Sequence, residues 1–483
     1  MKKRNRHLNQ PTPFSRRLAV AKIHARKLLM VGVALCVAIS NSQAESNSSS
    51  KRTHTPRMSY IENKFIRLGV DLNLGGAITY LAPVTNKECN LINSHDWGRQ
   101  VQLSFYSGPA PFAPSGVKIS KVWENLGWNP IQSGDVSGRT SKLLEDRNNG
   151  RSIYVRCIPM HWPLENYPGE CEFEVWLELE GPVVKARCRL KNQRPDTKQY
   201  PARGQELPAV YVNAPFYRLM TYAGEKPFTG GELTNIQARL GKDLNWGHWT
   251  ATENWAAQLN DAGWGLGVWN RDVFSFSGGF YKEPGVGGPS DAPTGYISPA
   301  RLEILDHNIV YDYSYELILG TLDEIRAHVY SRSAKRGLPA FEFKRSRCGW
   351  YYANAQDSGW PVRDGLNIRP SGPSPQVLSP LFFVRAEDAP KVLIEAAFDA
   401  GTTNATIFWR KLGDHVFTAK QSMQFTVRPG GKNQRVEVNL GSSPEYRGAI
   451  LQMRLGLFQT DQTNSTVRLK SFRFAPDRKT EKR

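Results

Sequence analysis

Cys171-Glu172-Phe173-Glu174-Val175-Trp176-Leu177-Glu178-Leu179-Glu180-Gly181-Pro182-Val183-Val184-Lys185-Ala186-Arg187-Cys188-Arg189-Leu190-Lys191 decides the fold class. Phe173, Val175, Leu177 and Leu179 alternate with Glu172, Glu174, Glu178 and Glu180. A period of two is the signature of a strand with one face in the core and one in water. Gly181-Pro182 breaks the run, and Val184, Ala186, Cys188 and Leu190 then alternate back, which predicts an antiparallel hairpin. The same alternation recurs over Gln100–Tyr106, Gly265–Trp269 and Tyr311–Leu319. Helical periodicity is nearly absent. The best helix candidate is Leu322 to Ser333, which opens on Asp323 and Glu324.

Further along, Arg332 to Leu338 reads as a boundary and Pro361 to Ser379 as a Pro/Gly/Ser-rich loop. Short strands then follow at Leu381–Val384, Val392–Phe398, Ala405–Arg410, Met423–Val427, Gln434–Leu440, Ala449–Gly456 and Thr466–Phe474. That spacing predicts a second, sandwich-like unit. The expected organisation is a leader over 1–44, a polar linker over 45–57, a first β unit over 58–338, a second over 339–476 and a charged tail over 477–483.

The chain has 483 residues and a formal charge of +19. Nine Lys or Arg and no acid fall in residues 1–27, ahead of the apolar run Leu28–Ser40 and the small-x-small pattern Ser42-Gln43-Ala44. This is an export-signal pattern, and the run is shorter than the roughly 20 residues a membrane span needs. The protein is therefore expected to be secreted or periplasmic, with no transmembrane segment after cleavage. Without the leader's nine cations the charge is +10. Those cations form no long run, so nucleic acid is not an expected partner. An acidic polysaccharide, an anionic envelope surface or a plain solvated surface each accounts for them. Cys89, Cys157, Cys171, Cys188 and Cys348 remain after cleavage, and one disulfide among the middle three is expected in an oxidising compartment. No cysteine or histidine spacing suits a metal, and no cofactor is expected. GxSxG, P-loop and HExxH patterns are missing.

Two stretches carry the candidate chemistry: Asn93-Ser94-His95-Asp96-Trp97-Gly98-Arg99-Gln100-Val101-Gln102 and Trp246-Gly247-His248-Trp249-Thr250-Ala251-Thr252-Glu253-Asn254-Trp255. Flat aromatic faces stack on sugar C–H surfaces, while amides, Arg and carboxylates pair with hydroxyls, so this composition suits a carbohydrate. Glu206 and Glu253 each stand in a locally uncharged stretch, a setting that disfavours the ionised form and suits proton donation. They are the expected catalytic pair. The competing reading is a turn cap or an ion pair with an Arg. His95, Asp96, Arg99, Gln102, His161, Tyr211, Trp246, His248 and Trp249 are the expected substrate-binding residues, against loop ion pairs and core aromatics as the alternative. The glycine-rich stretch Gly278–Gly288 reads as a mobile rim loop rather than a phosphate cradle.

The opening Ile66-Arg67-Leu68-Gly69-Val70 through Gly75-Gly76-Ala77-Ile78 is similar to the first hairpin of the galactose mutarotase-like β-supersandwich, and Asn93 to Arg99 falls where such proteins carry a Gly-Arg segment at the cleft mouth. The resemblance spans roughly 58 to 330 and departs at the second catalytic histidine and terminal glutamate of the true mutarotases. Gly127-Trp128-Asn129-Pro130, Gln205-Glu206-Leu207-Pro208-Ala209 and Thr252–Ala257 resemble segments of secreted bacterial proteins of polysaccharide breakdown. Tyr446–Ile450 with Met453-Arg454-Leu455 resembles the late strands of carbohydrate-binding jelly-roll modules. The expected fold is thus all-β: a galactose mutarotase-like supersandwich followed by a β-sandwich or jelly roll. The expected function is an extracytoplasmic carbohydrate-active enzyme, a glycoside hydrolase acting on a poly- or oligosaccharide. The alternatives are a polysaccharide lyase using Tyr211 or His95 as base with Arg99, a non-catalytic glycan-binding or envelope protein, and an epimerase.

Overall fold

The computed structural model describes residues 54–236, 246–333, 337–399, 401, 403–458 and 465–477. The expected leader, its cleavage pattern, Cys36 and most of the charged tail lie outside the described residues, as do positions 45–53 of the expected linker. Residues 54–57 are not loose. The Arg57 amide donates to Asp71 Oδ1 at 3.1 Å, and the His54 ring pairs with the same carboxylate.

Among the described residues the chain is all β apart from the helix Leu322–Ser333 and three single-turn helices. Two sheets of ten and nine strands face each other in the first unit. The ten-stranded sheet places Arg203–Asn213 between Val101–Ser104 and Thr294–Glu303, followed by Ser275–Tyr281 and Trp246–Thr250. The nine-stranded sheet is built around the hairpin Cys171–Glu180 and Val183–Asn192, flanked by Ser152–Ile158 and Val310–Thr321. Glu180 pairs with Val183, so Gly181 at φ 59° and Pro182 form the two-residue turn that the sequence predicts.

Alternation sets the layers. Phe173, Val175, Leu177, Ala186, Cys188 and Leu190 enter one core with Val101, Leu103, Val210, Val212, Phe276 and Ile297 of the facing sheet. The outward positions form a charge ladder. Arg189 lies opposite both Glu174 and Asp312, Lys191 pairs with Glu174 at 3.0 Å, and Arg187 stacks its guanidinium 3.9 Å from the centre of the Trp176 ring. The helix Leu322–Ser333 buries Ile325 and Val329 against Trp255, Ala257 and Trp269.

A second core lies between two six-stranded sheets, which begin with Ala340–Glu342 and end with Val467–Ala475. The expected loop Pro361–Ser379 contains two strands, Leu366–Pro370 and Gln376–Leu378. Their apolar positions Leu366, Ile368 and Val377 are buried, a signal outweighed in the sequence by the surrounding Pro, Gly and Ser. The expected disulfide is not formed: Cys89, Cys157, Cys171, Cys188 and Cys348 are free thiols. Burial pushes Cys157 and Cys188 up to about 12, which keeps them protonated.

A buried charge cluster joins the two β units. Arg347 grips Asp357 with Nε and Nη2 at 2.7 and 2.6 Å and pairs with Asp306 at 2.6 Å. Gln199 Nε2 donates to both carboxylates, and the Tyr352 hydroxyl donates to Asp357. Burial works to raise the Asp357 carboxyl, but Arg347 and Gln199 outweigh it and hold it below its ordinary value. A carboxyl with a depressed native pKa stabilises the fold above its unfolded value of about 4, and that contribution is lost as pH falls through the lower native value. Asp357→Asn is expected to cost up to about 3–5 kcal/mol at neutral pH. Urea unfolding at pH 7 and at about pH 3 checks it, with the gap between wild type and variant narrowing at the lower pH.

Candidate functional site

The site begins with one extra residue. In the strand Arg203–Asn213, Val210 lies opposite Ile297 and Glu206 opposite Ala300, so four steps on one strand match three on the other. Without this bulge Glu206 would share a face with core residue Val210. With it, Glu206 turns to the outer face, beside Tyr211 and its partner Tyr296. Pro208 inside the bulge has no N–H to lose to the ladder.

On that face the half-buried Glu206 accepts from two phenols. Tyr106 donates to Oε2 at 2.9 Å and Tyr296 donates to Oε1. The Tyr211 and Tyr296 rings lie 4.8 Å apart at 35°, and Trp246 sits edge-on to Tyr296 at 4.9 Å. Burial, then the Glu206 charge, pushes the phenols of Tyr106, Tyr211 and Tyr296 well up. All three therefore stay protonated at neutral pH, and those of Tyr106 and Tyr296 donate to Glu206 as neutral hydroxyls. His248 is exposed two residues from Trp246 on the same face of its strand.

The rim is formed by residues 93–99 laced to residues 289–293. The Ser94 amide donates to Pro289 O at 2.6 Å, and the His95 ring lies 2.8 Å from Ser290 O. Asn93 Nδ2 donates to Asp291 O at 2.9 Å, and Arg99 Nη1 to Ala292 O at 2.7 Å. Arg99 Nε pairs with Asp96 at 3.2 Å, and its guanidinium carbon lies 6.0 Å from the Tyr281 ring centre. Of the glycine-rich stretch Gly278–Gly288, Gly278–Tyr281 belongs to the strand Ser275–Tyr281, while the Gly285 amide donates to Ala214 O at 3.0 Å and the Gly288 amide to Asp291 Oδ2 at 2.7 Å. His95 is exposed and Asp96 half-buried at this rim, and the charges of Arg99, Asp96 and Glu206 all act on Tyr211.

Four expected site residues lie elsewhere. Glu253 is fully buried: its carboxylate accepts from the Phe228 amide at 2.8 Å, the Tyr330 hydroxyl at 2.7 Å, Trp255 Nε1 at 3.0 Å and Arg326 Nη2 at 3.3 Å. With both oxygens engaged and no solvent contact, it anchors the helix Leu322–Ser333 rather than joining Glu206. Gln102 is buried, its amide nitrogen donating to Trp97 O and Arg99 O and its oxygen accepting from Ser133, so it braces the rim from beneath. His161 is buried against Phe112, Trp128 and Tyr167 and bonds Glu170 at 2.9 Å. Trp249 points into the core, stacked 6.0 Å from Phe276.

Sequence reasoning missed Tyr106, Tyr296 and Tyr281. The alternation Gly295-Tyr296-Ile297-Ser298 carried the signal for Tyr296, and Pro208 within a strand-like run signalled the bulge.

No family model matches the chain, and no curated protein matches it. Among solved structures it is similar to a galactose mutarotase related enzyme from Lactobacillus acidophilus: identity 14%, covering 55% of this chain and 99% of that one, TM-score 0.36. It is also similar to a galactose mutarotase-like protein from Lactobacillus casei at 13% identity, covering 54% and 99% of the two chains, TM-score 0.34.

The different surroundings of the two glutamates predict different costs. Glu253→Gln leaves the half-buried Arg326 without its counter-charge and is expected to lose about 2–3 kcal/mol of stability. Glu206→Gln is expected to lose less than half of that, because water reaches the site. Denaturant unfolding of both variants checks this.

Proposed function

We propose that this cleft takes a saccharide and that Glu206 is the group that moves a proton on it. The observation that carries the reading is one half-buried carboxylate held by two protonated phenols, beside the ring faces of Tyr211 and Trp246. Aromatic faces suit the C–H surface of a sugar, and a positioned carboxylate with neighbouring hydroxyl donors suits general acid–base work. Glu206 takes a proton from the substrate, and Tyr296 or Tyr106 supplies one to the oxygen where charge develops. Asp96 and Arg99 position the substrate at the rim, with His95 and His248 beside them.

This set fits proton abstraction, by elimination or epimerisation, better than the two-carboxylate hydrolysis favoured by the sequence. Hydrolysis would need a second free acid, and the neighbouring Asp96 is paired with Arg99. The export pattern of the leader supports a place of action outside the cytoplasm.

The test is to incubate the protein with neutral and acidic polysaccharides and free aldoses. Unsaturated-uronate absorbance, reducing ends and anomeric exchange are followed together. Growth of absorbance marks elimination, faster anomeric exchange marks epimerisation, and reducing ends alone would return the assignment to hydrolysis. Glu206→Gln is expected to lose about 10²–10⁴-fold in rate. A loss of less than tenfold in a folded variant contradicts the role of Glu206. Binding without any product favours a glycan-binding protein.

A further inference from the structure

One face of the second β unit carries two arginines with no acid partner among the described residues. Tyr351 lies opposite Leu378, Leu378 opposite Arg454, Arg454 opposite Phe408 and Phe408 opposite Ser422. This row crosses five strands. Its sequence neighbours Tyr352, Val377, Leu455 and Ile407 fill the core, so the row itself lies on the outer face. One step along, Arg410 lies opposite Gln452 on the same face.

The two guanidinium groups are packed rather than splayed into water. Arg454 sits 3.9 Å from the centre of the Phe408 ring and 4.9 Å from that of Phe417, and Arg410 lies 5.9 Å from Phe417. Both Nε atoms are buried and lack a hydrogen-bond partner. Arg410 Nη1 reaches only His415 O at 3.5 Å. Asp414, the acid nearest Arg410, is occupied by the Lys411 amide and Gln421. Neither arginine forms an ion pair among the described residues, whereas the buried Arg347 has two carboxylates. Burial disfavours the charge on both Arg410 and Arg454. Buried charges are normally paired, and the planar guanidinium fork matches the geometry of a carboxylate or sulfate.

We infer that the outer face bearing Arg410 and Arg454 is a binding site for an anionic saccharide, whose carboxylate or sulfate meets the two guanidinium forks. The ring of such a sugar lies along Phe417, and Gln452, buried opposite Arg410, fixes Tyr351 by donating to its hydroxyl at 3.0 Å. The anion site rests on its own geometry, whereas the choice of a saccharide as the bearer of the charge rests on the glycan reading of the cleft. Such a face would hold an acidic polymer while the first β unit acts on it.

The experiment is affinity electrophoresis of the full chain in gels containing polygalacturonate, neutral galactan or polyphosphate. Wild type is expected to be retarded by polygalacturonate and not by galactan. The Arg410→Gln/Arg454→Gln double variant is expected to bind polygalacturonate at least tenfold more weakly. Should the double variant fail to fold, Arg454→Lys keeps the charge but loses the fork and is expected to weaken binding severalfold. No retardation of wild type, or unchanged binding by the folded variant, overturns the inference. Polyphosphate binding as tight as polygalacturonate overturns the saccharide assignment. The readout is binding, so a failure of Glu206→Gln to change turnover leaves it untouched.

Discussion

The candidate site depends on one residue inserted into one strand. Strand geometry sends successive side chains to opposite faces, so Glu206 and Tyr211, an odd number of positions apart, belong on opposite sides of the sheet. The bulge across Leu207–Ala209 cancels that parity. It brings a carboxylate out of the core and under the hydroxyls of Tyr106 and Tyr296. The rim, the stacked rings and the charges of Asp96 and Arg99 all lie around the position that this bulge creates. A ladder in strict register would put a carboxylate among Val101, Leu103 and Ile297, a placement too costly to persist unpaired.

The two glutamates show how similar local sequences reach opposite ends. Gln205-Glu206-Leu207 and Thr252-Glu253-Asn254 are both uncharged surroundings. Glu253 meets four donors, one of them the guanidinium of Arg326, and is sealed beneath a helix. Glu206 meets only neutral phenols and keeps its access to the cleft. A buried carboxylate paired with an arginine stabilises an interface, whereas a half-buried one held by neutral hydroxyls keeps contact with water. The partners, up to 100 positions away in the sequence, decide between the two.

Fold class was legible because it rests on local periodicity. The hairpin Cys171–Lys191, the helix Leu322–Ser333 and the strand Ala449–Gly456 each declare themselves within a short contiguous stretch. Part of the site was legible for the same reason. His95, Asp96, Arg99, Tyr211 and Trp246 come from short stretches dense in polar and aromatic residues; Tyr211 and Trp246 pack around Tyr296, and the charges of Asp96 and Arg99 act on Tyr211. Glu253, Gln102, His161 and Trp249 came from the same kind of stretch and are buried. Composition cannot tell an aromatic or amide that faces a cleft from one that braces it from behind. That distinction is set by strand register: Trp246 and Trp249 differ by three positions and so point to opposite faces. Tyr296 and Tyr106 were passed over because their meaning comes from a partner about 90 to 100 positions away.

A crystal structure of Glu206→Gln soaked with a galacturonate oligosaccharide tests the central claim most directly. The account predicts a sugar ring against Tyr211 and Trp246, with one of its oxygens or acidic carbons within hydrogen-bonding reach of residue 206, on the face opposite Val210. A sugar bound elsewhere with this cleft empty, or residue 206 turned into the core beside Val210, would contradict it.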